Sequence, residues 1–230
     1  MLLYSPIWRR LGSSLLSCRI YARARWRGQK LPNLSLERDM CCASAPHTPL
    51  KLILKQNNMN VSERSYERIT EADLKKLLDF SNEDREDFFA RNPRWRRLYA
   101  NRIICIALCQ GAALHYLDGK NGVKDFDVWT FYSEQPEAPF PYRRMGHKDF
   151  GISKFGCHPS DAGKFKGRCV DLIGRSLKLP KSADPVKVIK SYLGNPTTKS
   201  AMELKRKAVV LLYPEMLFGR IIWPEVRNLK

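Results

Sequence analysis

The run "VKDFDVWTFY", residues 123–132, constrains this chain most. Its Val, Phe, Trp, Thr and Tyr residues suit a pleated, packed surface, so it reads as a β-strand. Side chains two apart on a strand share a face. Asp125 and Asp127 therefore project together, while Phe126 and Val128 point to the other face, read as the core side. Adjacent carboxylates repel unless a cation sits between them. Oxygen-only ligation is what Mg²⁺ prefers, and a third carboxylate from a neighbouring strand completes a site for one or two ions. Asp171 in "GRCVDLIGRSL" is the candidate: it is an acid in an otherwise apolar strand, where an unpaired charge is costly. The competing reading is a solvated edge strand that uses charge against aggregation, with Asp171 capping a turn.

Upstream, "RNPRWRRLYANRIICIALCQGAALHYLDG" reads as an amphipathic helix, a buried apolar strand ending at Gly111, and a short helix. A Gly between strand and helix lets backbone N–H groups approach an anion, and the helix N-terminus favours a phosphate. "GKNG" is a turn. The order is strand, Gly-Ala turn, helix, turn, strand with Asp-x-Asp, then a later strand with a third Asp.

This order resembles the nucleotidyltransferase superfamily, which includes DNA polymerase beta and the antibiotic and tRNA nucleotidyltransferases. The matching residues are Gly111-Ala112, Asp125-Phe126-Asp127 and Asp171, and "QGAALHYLDG…KDFDVW" is also similar to the AbiEii-type toxin branch. The resemblance covers roughly residues 98–175. It implies two Mg²⁺ ions on Asp125, Asp127 and Asp171, with Asp171 as base. A nucleoside monophosphate would pass from an NTP to a hydroxyl of RNA, protein or a small molecule. It also implies phosphate contacts at Gly111, Ala112 and Lys124. Ala112 stands where the family has Ser or Gly, which removes one hydroxyl contact.

Elsewhere "ITEADLKKLLDFSN" reads as a helix capped by Thr70, and "SNEDREDFFARN" as a second helix capped by Ser81 or Asn82. Residues 133–168 read as loop-rich, with Pro136, Pro139, Pro141 and Pro159. "ADPVKVIKSYLGN" is a helix with Asp184 as cap, Pro185 at its first position and Gly194 at its end. "TTKSAMELKRKAVVLLYPEMLFGRIIW" reads as a longer helix interrupted near Pro214, with Val209, Leu212, Met216 and Ile221 as its core stripe and the acceptor side as its place. The expected fold is an α/β (α+β) domain over residues 59–230: a small mixed sheet flanked by helices, with C-terminal helices over about 184–222.

Forty-one Lys and Arg against 23 acids give a net charge of +18, which calls for an anionic partner. Residues 1–58 carry ten of those bases and only Glu37 and Asp39. They read as a basic extension: a transit-like segment, an over-extended start with Met40 or Met59 as the true one, or a genuine arm. Seven cysteines without a CxxC pair argue against a disulfide framework and a structural zinc site, and for a reducing, cytoplasmic-type compartment, organellar if the leader is real. No apolar run approaches a membrane span.

Residues 140–168 interleave Arg143, Arg144, Lys148, Lys154, Lys164, Lys166 and Arg168 with Tyr142, Phe150, Phe155 and Phe165. Bases among aromatics suit phosphate contact and base stacking. Arg143, Arg144 and Lys154 are the expected phosphate contacts, against a surface hairpin whose aromatics are core. His147, Cys157 and His158 raise a zinc reading that has no second Cys pair to support it. His115 reads as a satisfied helix histidine. The main functional rival is an inactive core serving as a basic nucleic-acid-binding or toxin-system interaction protein.

Overall fold

The computed structural model describes residues 63–141, 144–178 and 183–224. The basic extension expected over residues 1–58 lies outside them, as do Tyr142 and Arg143. The described residues belong to one compact unit. Its order is α1 (Glu71–Arg91), α2 (Pro93–Tyr99), β1 (Ile103–Cys109), α3 (Gln110–Asp118), β2 (Phe126–Ser133), β3 (Arg144–Asp149), β4 (Cys169–Leu177), α4 (Pro185–Gly194), α5 (Lys199–Lys205), β5 (Ala208–Tyr213) and β6 (Ile221–Trp223). The six strands form one mixed sheet in the order β3-β4-β2-β1-β5-β6. Only β2 and β4 pair in parallel; every other neighbouring pair is antiparallel. The expected fold class holds. Among the described residues no helix is long and apolar enough to cross a membrane.

The sheet is covered on both faces. Ile106, Leu108, Phe126, Val128, Val170, Leu172, Val210 and Leu212 pack with residues of α1 and α3. Cys105, Ala107, Cys109, Trp129, Phe131, Ile173, Val209 and Leu211 pack with residues of α4 and α5. The reading of β2 as core on one face only is therefore corrected: all eight of its residues are buried. Each fully buried Leu, Val or Phe contributes about 1.5–3 kcal/mol, so the two layers together fix the strand order.

Three sequence readings change. Residues 71–91 form one helix, not two. Thr70 does cap it, in a reciprocal box with Asp73, but Ser81 turns its hydroxyl to Thr130 Oγ1, 3.0 Å away and buried. The loop-rich stretch contains β3, which a Gly and alternating charges disguised. The long C-terminal helix is a short α5 followed by two strands. "AVVLLY" has the β-branched content of a strand, and its strand neighbours bury all but Tyr213. The supposed stripe dissolves accordingly: Val209 and Leu212 belong to opposite core layers, and Met216 is 88% exposed. α4 forms as expected, with Asp184 accepting from Val186 N–H and Pro185 first.

The loop between β3 and β4 is stapled by Asp149, whose carboxylate accepts from the N–H groups of Gly151, Lys166 and Gly167 at 2.8, 2.6 and 2.9 Å. Partial burial pushes its pKa up, but the three donors outweigh it and hold the carboxyl below its usual range. Gly167 lies so close to Gly151 that an added Cβ would fall 1.9 Å from the Gly151 carbonyl oxygen.

Two outcomes follow. Gly167→Ala must separate two backbone segments and lowers stability by about 3 kcal/mol or more in a denaturant melt. Because the folded-state pKa of Asp149 is depressed, its contribution is present above about pH 4 and is lost as pH falls through the folded value. Asp149→Asn should therefore flatten the acid limb of the stability–pH curve.

Candidate functional site: an acidic row with a His/Cys/Asp cluster

Asp127 and Asp171 are direct partners in the parallel β2–β4 register. His147 of β3 pairs with Asp171, and Cys109 of β1 pairs with Asp127. One row across four strands thus reads His147, Asp171, Asp127, Cys109, on the face that α4 and α5 cover further along the strands. The row opens to solvent toward His147: side-chain exposure is 52% there and 23% at Asp171, while Asp127 is buried. Asp125 precedes β2 rather than lying in it. It is nonetheless near enough to Asp171 to feel its charge.

The β1–α3 turn presents Gln110 to this row. Gln110 has φ +60°, a left-handed conformation that costs a non-glycine residue of order 1 kcal/mol or more. Its Nε2 donates to Asp127 Oδ1 at 2.6 Å, which fixes that carboxylate. Its backbone bridges to Ala208 at the start of β5. Next to it, Gly111 has open space where a Cβ would lie, so the protein's own packing does not demand glycine there. Ala112 is buried in the α1/α3 core layer and offers the site only its backbone.

Burial holds the Asp125 carboxyl above its ordinary range; Lys124 opposes this, Asp171 reinforces it, and Lys207 and His158 oppose it. Buried Arg168 lies behind the site, donating to the Phe155 carbonyl at 2.7 Å and to the Glu63 and Lys124 carbonyls at 3.4 and 3.5 Å. Arg168 thereby ties the approach to β2 to the β3–β4 loop.

The closest-knit potential ligand set among the described residues takes one aspartate only. His147, Cys169 and Asp171 place ligand atoms within 4.8 Å of one another. His147 Nδ1 is 2.7 Å from Asp171 Oδ1, and the Cys169 thiol donates to the same oxygen at 3.3 Å. Burial pushes the Cys169 pKa up, and the charges of Asp171, Asp161 and Asp125 push it further, so the free group stays a thiol. The zinc trio of the sequence reading is replaced. Cys157 is buried and donates to the His158 and Phe165 carbonyls, and His158 bonds Ser160. Cys105, Cys109, Cys157 and Cys169 are all free thiols.

Two of the expected phosphate contacts lie elsewhere. Arg144 pairs with Gly174, on the α1 face of the sheet, and grips Asp84 of α1 with both guanidinium arms while stacking on Phe88. Lys154 is ion-paired to Asp73 of α1 at 2.9 Å. Arg143 is outside the described residues. Phe150 and Phe155 are core, as the surface-hairpin alternative held. Lys124 is exposed beside Asp125, and Lys207 joins it from the start of β5. His115 is buried with Nε2 on the Glu67 carbonyl at 2.8 Å, a structural histidine.

Sequence reasoning missed Lys207 and Cys169, grouped Arg168 with the bases of the 140–168 loop without its structural role, and quoted Gln110 only as the residue before the Gly-Ala turn. Cys169 was findable: it lies two residues before Asp171 on a strand, hence on the same face. Searches for similarity to protein-family models, to curated proteins and to solved structures found no match to this chain.

Proposed function

We propose that this protein is a metal-dependent nucleotidyltransferase that moves a nucleoside monophosphate from an NTP to a hydroxyl of RNA, protein or a small molecule. The carrying observation is the register of Asp127 against Asp171, with the Gln110–Gly111 turn and the N-terminus of α3 beside them. The oxygen donors of Asp125, Asp127 and Asp171 fit Mg²⁺, in one or two ions. Mg²⁺ bound there supplies charge neutralisation for a triphosphate and lowers the pKa of an acceptor hydroxyl.

The chain's own residues do the rest. Gln110 holds Asp127 in place. The open side of Gly111 leaves room for a phosphate at the positive end of α3. Lys124 and Lys207 add positive charge around Asp125. Asp171 accepts the acceptor hydroxyl proton as that oxygen bonds to the α-phosphorus and the bond to pyrophosphate breaks. Positioning and electrostatics of this kind are most of what phosphoryl-transfer catalysis needs. The free thiols are in keeping with a reducing, cytoplasmic-type setting.

A second reading, a basic nucleic-acid-binding protein with an inactive core, draws on the net charge of +18. It predicts RNA binding that survives EDTA and the loss of Asp127.

The test incubates the full chain with Mg²⁺ and each α-³²P-labelled NTP, with total RNA and total protein as acceptors. Label transfer should fall by about 10²–10³-fold in Asp127→Asn, the cost of removing one contact that matters in the transition state. Absence of transfer by the wild type with every NTP rejects the proposal. Asp125 gives an independent check. Its folded-state pKa is raised, so ionising it costs stability as pH climbs through the folded value. Without divalent ions, Asp125→Asn should melt a few degrees above the wild type at neutral pH, and the gap should close at acid pH.

A further inference from the structure

His147, Cys169 and Asp171 do not match the chemistry of Mg²⁺. A thiol sulfur and an imidazole nitrogen are soft or borderline donors, and Mg²⁺ takes oxygen almost exclusively. We infer that His147 Nδ1, Cys169 Sγ and Asp171 Oδ1 form a binding site for Zn²⁺, at the open end of the acidic row.

Geometry supports this first. The three atoms make a triangle with sides of 2.7, 3.3 and 3.9 Å. A point about 2.0–2.3 Å from all three lies just to one side of that triangle, and this is the bond-length range of Zn²⁺ for nitrogen, oxygen and sulfur. The ligands come from adjacent positions of an antiparallel pair, β3 and β4, with Cys169 and Asp171 on one face and His147 opposite Asp171. Strand pairing holds such a set more firmly than a loop would.

Charge supports it second. In a chain of net charge +18, Asp125 and Asp161 join Asp171 around Cys169. Their charge, which Lys124 and Lys207 offset at Asp125, favours a divalent cation at Cys169 and Asp171. Third, the site is accessible: His147 is half exposed and Asp171 is a quarter exposed. Three protein ligands with one side toward solvent is the arrangement of zinc sites that keep a position for water or a substrate oxygen. Binding exchanges the Cys169 thiol proton for the metal, so one proton is released for each ion bound through sulfur.

This site shares Asp171 with the proposed transfer centre but does not rest on that reading, because zinc binding is measured without nucleotide. The full chain, stripped with EDTA and kept reduced by a phosphine, is titrated with Co²⁺ and then with Zn²⁺ in competition with a chromophoric chelator. The expected result is a thiolate-to-cobalt charge-transfer band that saturates at a single equivalent. Zn²⁺ should displace it, and millimolar Mg²⁺ should not. Cys169→Ser should abolish the band. His147→Ala, an exposed position whose loss leaves the fold intact, should weaken Zn²⁺ by at least about tenfold, the lower end of the loss seen when a mere outer partner of a ligand is removed. Cys157→Ser and the double variant Cys41→Ser/Cys42→Ser should match the wild type. Absence of zinc binding by the wild type overturns the inference, and so does zinc affinity unchanged in His147→Ala or a band that persists in Cys169→Ser.

Discussion

The parallel pairing of β2 with β4 is the constraint on which the rest of this molecule depends. It runs in unbroken register from Phe126↔Val170 to Ser133↔Leu177. A parallel pair cannot be joined by a tight turn. The chain therefore leaves β2, runs out to β3 at the sheet edge, and returns through the Asp149-stapled loop to insert β4 between them. That excursion brings His147 to the flank of Asp171, and the same register sets Asp171 beside Asp127. Shifting β4 by one residue would turn Asp171 into the α1/α3 core and Leu172 out of it. The apolar packing on both faces thus fixes the position of the acids.

The acidic row is costly for such a sheet, and the surroundings limit the cost without removing it. Gln110 adopts a strained backbone and spends its side-chain donor on Asp127. Asp171 receives His147 and the Cys169 thiol. Asp125 has nearby Lys124 and Lys207, yet its carboxyl remains harder to ionise than usual. Strain and unfavourable charge are thus kept together at one end of a well-packed sheet, which supports the proposed site there.

The basic residues divide by location rather than by number. Arg144 and Lys154 tie the β3–β4 hairpin to α1 through Asp84 and Asp73, so their charge is consumed in the fold. Arg168, buried behind the site, spends its donors on backbone carbonyls. The cations facing the acids, Lys124 and Lys207, are separated by more than eighty residues in the chain. A high net positive charge therefore says little about which bases meet an anion.

The sequence by itself determined the local pieces. β2 itself, the β1–Gly111–α3 turn and the caps at Thr70 and Asp184 were legible there, whereas the expected shared strand face of Asp125 and Asp127 was not realised, because Asp125 precedes β2, and only Asp127 stands in register with Asp171. Alternation, capping chemistry and turn residues act within a few positions, so they are written where they act. Tertiary structure alone decided the remainder. The long α1 across Ser81, β3 hidden among loop signals, and "AVVLLY" as strand rather than helix all depend on which neighbours bury them, and burial is a property of distant residues. The meeting of His147 with Cys169 and Asp171 is of the same kind: two strands separated by residues 150–168 become adjacent only once the sheet closes its register.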